Sequence, residues 1–265
     1  MQKKPQSAFE SCLIVRVNTL FLQKKPLKIA VNTRLLLHEK IDGIGRFAFE
    51  TLKQMVVKHP EHQFLFIFDR PYHESFVFAD NIIPVIIPPP ARHPLLFLAW
   101  FELSLPLVFK KHKPDVFLSP DGYLSLRSEI PSVAVIHDLN FEQYPADLPW
   151  AMRMYLQKMF PKFADHAKRI ATVSAYSKQD ISNRYNIPLE KIDIVHNGSS
   201  STFCTIDDSE KERIRKKYTS GRDYFFFVGT LHPRKNLTNL FRAFDAFKNA
   251  DRHGIKLVIA GAKMW

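Results

Sequence analysis

Two adjacent cations, Arg234 and Lys235, lie between an apolar segment that ends in Gly229 and an amphipathic segment that begins at about Asn236. A strand, a glycine loop and a helix in this order place backbone N–H groups and both positive charges at one point of a fold. Cations at a helix N-terminus are opposed by the helix dipole, so their presence there indicates an anion between them. A diphosphate has the matching charge and geometry. The alternative interpretation is a pair of solvated residues at the start of a helix.

A second glycine segment, Gly43-Ile44-Gly45, follows the first predicted strand and opens a predicted helix. One interpretation is a connecting loop that simply needs flexible residues. The other is a close approach of the backbone to a phosphate, whose negative charge the helix N-terminus favours. The position after the first strand, together with the resemblance described below, favours phosphate binding.

His137 ends a predicted strand and precedes Asp138. Most histidines at strand ends are ordinary packed or solvated residues. The carboxyl edge of an open parallel sheet is, however, where α/β proteins bind ligands, so His137 is a candidate site residue. Ser174 and Ser177 are interpreted as capping residues rather than nucleophiles, and no His/Cys/Asp cluster has metal-ligand spacing.

Short apolar runs alternate with amphipathic runs along the chain, and the apolar runs are continuous rather than alternating in polarity. Such runs indicate a parallel sheet that is covered on both faces, which defines the α/β class. Strands are predicted at residues 27–32, 63–68, 82–87, 116–119, 132–137, 169–174, 192–196, 224–228 and 256–260. Helices are predicted at residues 43–58, 150–168, 210–218 and 236–249, with a further helix that begins at a capping box of Ser177 and Asp180.

The pattern divides the chain into an extra N-terminal segment (1–27), which we predict to be disordered, and two Rossmann-like domains. The first domain covers residues 28–205 and the second covers residues 206–265. The second domain contains a single βαβ unit. Two strands and one helix leave much apolar surface uncovered, so we predict an incomplete domain whose sheet needs more chain or another molecule.

The composition of the 265 residues is that of a folded protein, with 46% hydrophobic residues and a net charge of +12. The two cysteines exclude a disulfide framework and favour a reducing cytoplasm. The positive charge favours an anionic partner, such as a nucleotide, a lipid headgroup or a nucleic acid. Nucleic acid is disfavoured, because much of the excess charge lies in residues 1–27 and no nucleic-acid motif is present.

Residues 94–109 form an apolar segment that contains Glu102 and Pro106. The segment is shorter than the roughly 18–20 residues that cross a bilayer. It is therefore predicted to be a helix that is buried or touches a membrane.

Six segments resemble, in the same order along the chain, motifs of the retaining glycosyltransferases of family 4 (GT4), whose architecture of two Rossmann-like domains is called GT-B. They are Lys28-Ile-Ala-Val-Asn-Thr-Arg, Gly43-Ile-Gly-Arg-Phe, Val135-Ile-His-Asp-Leu, Thr172-Val-Ser-Ala-Tyr-Ser-Lys, Val195-His-Asn-Gly and Val228-Gly-Thr-Leu-His-Pro-Arg-Lys-Asn. The resemblance covers residues 28–265. Each motif alone is weak, whereas six in one order are specific.

The resemblance implies transfer of a sugar, with retention at the anomeric carbon, from a nucleotide-diphosphate sugar to an acceptor hydroxyl. It implies that His137 contacts the transferred sugar and supports the charge that develops near its anomeric carbon. The residues implied to bind the donor diphosphate are Gly43, Ile44, Gly45, Arg234 and Lys235. No metal or other cofactor is expected, since cations and N–H dipoles can stabilise the leaving diphosphate and no Asp-x-Asp motif occurs.

The implied acceptor is a glycan or a lipid-linked acceptor of the cell-envelope polysaccharide type, and the implied chemistry is hexosyl or mannosyl transfer. A basic, aromatic surface that includes Trp100, Phe101, Arg153 and Lys158 suits such an acceptor near an anionic membrane. The predicted location is the cytoplasm, peripherally at the inner face of the membrane. The Glu-x7-Glu segment with which similar enzymes hold the donor has no match, so the alternative is a truncated, non-catalytic remnant or an anion-binding module of the same fold.

Overall fold

The computed structural model describes residues 25–38, 41, 43–91, 93–198, 203–251 and 253–261. They form two compact units, with the boundary between Gly198 and Ser199 rather than after residue 205. Leu27 is buried in the first unit, so that unit includes a residue assigned to the N-terminal segment. The predicted disorder of residues 1–24 lies outside the described residues.

Seven parallel strands form the sheet of the first unit, in the order β3-β2-β1-β4-β5-β6-β7. They are β1 (Lys28–Asn32), β2 (Gln63–Phe68), β3 (Ile82–Ile86), β4 (Val116–Ser119), β5 (Ser132–Val135), β6 (Arg169–Thr172) and β7 (Ile192–Ile194). All seven were expected from the continuous apolar runs. β5 ends at Val135, which leaves His137 beyond the last paired residue of its strand.

Helices cover both faces of this sheet. They are α1 (Gly43–Lys58), α2 (Pro94–Ala99), α3 (Leu105–His112), α4 (Asn140–Gln143), α5 (Trp150–His166) and α6 (Ala175–Tyr185), and a π-helical segment, Trp100–Ser104, joins α2 to α3. Alternate residues of β2 enter different buried clusters: Leu65 packs on the side of Trp100, and Phe66 packs on the side of Leu52 in α1. This alternation shows that the two clusters lie on opposite faces of the sheet.

The capping box of Ser177 and Asp180 that was predicted to start α6 is wrong in detail. α6 is capped by Ser174, whose Oγ accepts a hydrogen bond from the backbone N–H of Ser177 at 3.0 Å, so Ser177 lies inside the helix. Pro161 lies within the continuous helix α5, which ends at His166.

The second unit contains α7 (Asp208–Thr219), β8 (Tyr224–Val228), α8 (Leu237–Ala250) and β9 (Lys256–Ala260). β8 and β9 pair in parallel. α7 begins two residues earlier than expected, because the Asp207 side chain caps it by accepting from Glu210 N–H at 2.8 Å. α8 packs on β8 through the rings of Phe244 and Phe247 against Phe225.

The uncovered face predicted for this small sheet is present. Phe226 is 59% exposed and Val228 is 71% exposed. One helix and two strands bury too little of each other to cover both faces of the sheet. No helix of the described residues combines the length and the hydropathy that crossing a membrane requires.

Candidate functional site

His137 lies at the carboxyl edge of the large sheet, two residues beyond β5, and is partly buried. Its Nε2 lies 2.9 Å from the carbonyl oxygen of Pro120, at the end of β4. Because a carbonyl oxygen can only accept, Nε2 must carry the proton and donate it to Pro120. The ring is thereby fixed, and in the neutral imidazole the lone pair is on Nδ1.

The glycine segment lies in the same region as His137. The ring of Phe47, the fifth residue of α1, meets the imidazole edge to face, with ring centroids 4.8 Å apart. Gly43 is exposed at the start of this helix, and a Cβ placed there would meet no atom within 4 Å. The structure therefore places His137 against α1, the helix that the Gly43-Ile44-Gly45 segment opens.

A buried polar network that the sequence analysis missed lies at the same edge. The guanidinium of Arg34, two residues after β1, pairs with Asp121 after β4, at 2.7 Å between Nη2 and Oδ2. The other Asp121 oxygen, Oδ1, accepts from Asn32 Nδ2 at 2.8 Å and from Ser119 Oγ at 3.0 Å. This network anchors the residue that follows Pro120, whose carbonyl orients His137.

Aromatic rings enclose Arg34. Its Cζ lies 4.8 Å from the ring centroid of Phe97 and 4.7 Å from that of Tyr123, within range for cation–π attraction. Burial alone lowers the pKa of Arg34, but its carboxylate neighbours, Asp121 foremost, raise it above its ordinary value. Burial also raises the pKa of Tyr123 to about 12, so the phenol beside Arg34 stays neutral.

The sequence did carry a signal for this pair. Asn32 and Arg34 belong to the first of the six motifs, and Asp121 follows the strand that neighbours β1. A charged residue directly after a buried strand points to the carboxyl edge of the sheet. Only the pairing of β1 with β4 reveals that the two charges meet.

The aromatic surface expected around Trp100 and Phe101 is wrong. Trp100 is 0% exposed and Phe101 is 1% exposed. The indole Nε1–H of Trp100 donates to the carbonyl oxygen of Ile87 at 3.0 Å, which satisfies its polar atom inside the core. Arg153 is partly buried and Lys158 is exposed, both on α5.

Arg234 and Lys235 lie in the second unit, in a 3₁₀ turn (Pro233–Lys235) that precedes α8. Both side chains are exposed, and no described carboxylate forms an ion pair with either of them. His232 caps the turn, because its Nδ1 accepts from Arg234 N–H at 3.1 Å. Asn236 then adopts a left-handed conformation, with φ of 54°, and α8 begins at Leu237.

The carboxyl edge of the small sheet carries two glycines in close contact. A Cβ at Gly261, after β9, would lie 1.7 Å from the carbonyl oxygen of Gly229, after β8. Only glycine fits at position 261 in this arrangement. The backbone is thus bare of side chains at both strand ends of this edge, and Gly229 precedes the turn Pro233–Lys235, which we call the Arg234 loop.

Other polar features lie at the opposite edges of the sheets. His59, Glu61 and His62, just before β2, hold ligand-type atoms within 4.8 Å of one another, a group that the sequence analysis overlooked when it found no cluster with metal-ligand spacing. His59 Nδ1 lies 3.0 Å from Glu61 Oε1, and this hydrogen bond foremost lowers the pKa of Glu61. Since the cluster lies at the amino edge, far along β2 from the carboxyl edge, it takes no part in the site around His137.

A cavity of about 440 Å³ in the second unit also lies apart from the cations. It is lined by Ile206, Lys211, Ile214, Arg215, Asp223 and Tyr224. Asp223 and Tyr224 stand at the amino end of β8, whereas Gly229 and the Arg234 loop follow its carboxyl end. The cavity is therefore separate from the predicted diphosphate site.

A parallel sheet with helices on both faces, followed by a second parallel βαβ unit, is the fold of GT-B proteins, and solved structures agree. The structure of HepE from Anabaena, in complex with UDP and glucose, matches with a TM-score of 0.61 at 14% identity, over 90% of this chain and 62% of that chain. A UDP-N-acetylglucosamine 2-epimerase from Listeria monocytogenes, itself a putative assignment, matches with a TM-score of 0.54 at 13% identity, over 88% of this chain and 62% of that chain. At these identities the likeness shows the fold alone.

The family follows from the sequence. The model described as Glycosyltransferase Family 4 matches residues 41–201, and the model described as Glycosyl transferases group 1 matches residues 208–265. The chain belongs to glycosyltransferase family 4. This confirms the resemblance drawn from the six motifs.

Two curated relatives are similar to this chain. The O-antigen chain mannosyltransferase B of Escherichia coli is 24% identical over 241 residues, which are 85% of this chain and 62% of the relative. An uncharacterised glycosyltransferase of Methanocaldococcus jannaschii is 32% identical over 98 residues, which are 36% of this chain and 25% of the relative. The chain thus spans less than two thirds of either relative.

Proposed function

We propose that the protein transfers a sugar, with retention, from a nucleotide-diphosphate sugar to an acceptor hydroxyl. The observation that carries this proposal is the imidazole of His137, held by Pro120 and Phe47 beside the Gly43–Gly45 helix start. Family membership supports the transferase class. HepE, a protein of similar fold, is named as a complex with UDP-glucose, which supports a nucleotide-sugar donor.

In this reaction the bond between the anomeric carbon and the diphosphate oxygen breaks, and a bond to the acceptor oxygen forms on the same face. The acceptor hydroxyl passes its proton to the departing diphosphate oxygen, and the nucleoside diphosphate leaves. We assign to His137 the contact with the sugar and the support of charge near the anomeric carbon. Arg234 and Lys235 neutralise the diphosphate, and the N-terminus of α1 adds N–H dipoles, so the step needs no metal.

The proposed acceptor is a glycan or a lipid-linked precursor of a cell-envelope polysaccharide, met at the cytoplasmic side of the membrane. The name of the Escherichia coli relative, an O-antigen chain mannosyltransferase, is compatible with mannosyl or other hexosyl transfer. The alternative function is that of a non-catalytic anion-binding module of the same fold.

A donor screen followed by a transfer assay tests the function. The purified protein is heated with UDP-, GDP- and ADP-sugars, and the donor that raises its melting temperature is then supplied with candidate acceptors. The expected product carries the anomeric configuration of the donor, as read by proton NMR. Inversion would exclude the retaining mechanism, and binding without transfer to any acceptor would favour the anion-binding module.

Replacing both cations of the Arg234 loop is expected to weaken the binding of a nucleoside diphosphate. A charge-assisted hydrogen bond contributes about 1.5–3 kcal/mol. The single variants Arg234→Gln and Lys235→Gln should therefore each raise the Kd by about tenfold to a hundredfold. Isothermal titration calorimetry with UDP, GDP and ADP measures this. The binding of the unchanged protein should also weaken with salt, since the site is exposed.

The matched control is Arg242→Gln, an exposed arginine in α8 whose Nη1 donates to Asn239 Oδ1 at 3.5 Å. This variant removes one positive charge from the same helix region and should leave Kd unchanged within a factor of about two. An equal loss of affinity in the control would show that net charge, rather than the Arg234 loop, drives binding.

A further inference from the structure

An exposed row of leucines runs along the helical segment from Pro94 to His112. Leu95 is 69% exposed, Leu103 is 54% exposed and Leu107 is 69% exposed. Ala99 completes a spacing of four residues between them. We call these three leucines the leucine row. A contiguous apolar strip on a surface marks a site of interaction.

The π-helical segment keeps the leucine row straight. In an α-helix, residues four apart drift by about 40° around the axis, because a turn holds 3.6 residues. The wider turn of the π-helical segment Trp100–Ser104 rotates the following residues back around the helix axis, which offsets this drift. Its cause is local: Pro106 has no amide hydrogen to donate, and Leu105 N–H donates to the carbonyl oxygen of Trp100, five residues earlier.

The opposite side of this segment is fixed to the core, so the leucine row cannot turn inward. Trp100, Phe101 and Leu105 are fully buried. Ser104 Oγ donates to the carbonyl oxygen of Pro88 at 2.7 Å. The Glu102 carboxylate accepts from the backbone N–H groups of Leu126 and Arg127, at 2.9 and 3.2 Å. The row is therefore a rigid, preformed surface.

The charges along the segment indicate which kind of partner binds the leucine row. Its last turn ends in Lys110, Lys111 and His112, and both lysines are exposed. Its single carboxylate, Glu102, is engaged by the two backbone N–H groups. Aliphatic residues along one side with lysines at the end match the boundary between acyl chains and anionic headgroups of a bilayer. A protein partner of ordinary composition is less well matched, because the row offers no exposed aromatic ring for an interface anchor.

We propose that Leu95, Leu103 and Leu107 insert into the surface of an anionic membrane while Lys110 and Lys111 contact its headgroups. The segment of 19 residues is about 28 Å long at 1.5 Å per residue, and it lies in the plane of the interface. The sequence predicted a membrane-facing surface that includes Trp100 and Phe101. In this proposal the leucines face the membrane instead. The site is independent of the sugar chemistry proposed above.

Vesicle flotation tests this proposal with the full chain. Vesicles of phosphatidylglycerol and phosphatidylethanolamine should carry the protein upward, and pure phosphatidylcholine vesicles should carry much less. The double variant Leu103→Ser/Leu107→Ser should lose binding by more than about tenfold. Lys110→Glu/Lys111→Glu should abolish the preference for anionic vesicles and its salt sensitivity. Unchanged circular dichroism and melting temperature show that each variant is folded.

Two matched controls locate the effect. Val57→Ser removes an apolar side chain that is 61% exposed on α1, and Lys216→Glu/Lys217→Glu inverts two lysines in the last turn of α7. Both should bind vesicles as the unchanged protein does. Equal binding by the Leu103/Leu107 variant, or no binding by the unchanged protein, overturns the proposal. A leucine-dependent dimer in gel filtration without vesicle binding also overturns it, and assigns the row to a contact between copies.

Discussion

Replacing His137 by alanine is expected to lower turnover about 10²–10⁴-fold, the range for a positioned catalytic group. The expectation rests on a ring whose Nε2–H is donated to the Pro120 carbonyl at 2.9 Å and whose orientation Phe47 restrains. Such a ring presents its remaining nitrogen without reorganisation when charge develops on the sugar. Turnover is measured with the donor that the thermal screen selects, under saturating acceptor.

His166→Ala is the matched control. His166 Nε2 also lies against a backbone carbonyl, that of Ser128 at 3.0 Å, but the residue ends α5 and precedes β6, at the amino edge of the sheet. Its loss removes a similar hydrogen bond and ring, and should leave turnover within about twofold. If His137→Ala keeps full turnover while its melting temperature is unchanged, the catalytic role of His137 is refuted.

Replacing Arg34 by methionine is expected to lower the free energy of unfolding of the first unit by about 3–5 kcal/mol. Methionine keeps much of the volume among Phe97 and Tyr123 but leaves the buried carboxylate of Asp121 without its cation. An uncompensated buried charge is costly, because the interior cannot replace the water it has lost. Urea unfolding followed by tryptophan fluorescence measures the change.

The second variant and the control separate charge from packing. Arg34→Met/Asp121→Asn removes both charges and should recover a large part of the lost stability, since breaking a buried pair costs more than replacing it. Arg184→Met breaks an exposed helical pair with Asp180, at 2.6 Å between Nε and Oδ1, and should cost no more than about 0.5 kcal/mol. A loss of less than about 1 kcal/mol in Arg34→Met would show that Asp121 is satisfied by Asn32 and Ser119 alone.

The order and class of the elements could be predicted from local patterns. Continuous apolar runs such as residues 63–68 are diagnostic because a strand buried on both faces cannot carry alternating polarity. The helix over Gly43–Lys58 was predicted to the residue, since the glycine start and the apolar spacing act within the segment itself. Helix caps were predicted less well, because Ser174 and Ser177 compete for one role, and the neighbouring backbone decides which serves.

For the candidate site, too, local patterns predict some features and only the folded structure decides the others. Residue types and their place after strands predict His137, the Gly43 segment and the Arg234 pair as site residues, and their roles stay predictions. The hydrogen bond that fixes the His137 ring could not be selected, because Pro120 offers only a backbone carbonyl and its sequence has no distinguishing chemistry. The sequence places Arg34 and Asp121 each after a buried strand, but that the two charges meet could not be predicted, since it depends on β1 lying beside β4 rather than on spacing along the chain.

The sequence by itself determined that this chain is an α/β protein of glycosyltransferase family 4, because apolar periodicity and the six motifs are properties of short segments read in order. Tertiary structure alone decided which side of an apolar helix faces inward. Between Pro94 and Phe109 nearly every residue is apolar, so the pattern does not distinguish Trp100 from Leu103. Packing buries the indole, whose N–H finds the Ile87 carbonyl, and leaves the leucines exposed, because only contacts distant in sequence tell these apolar side chains apart.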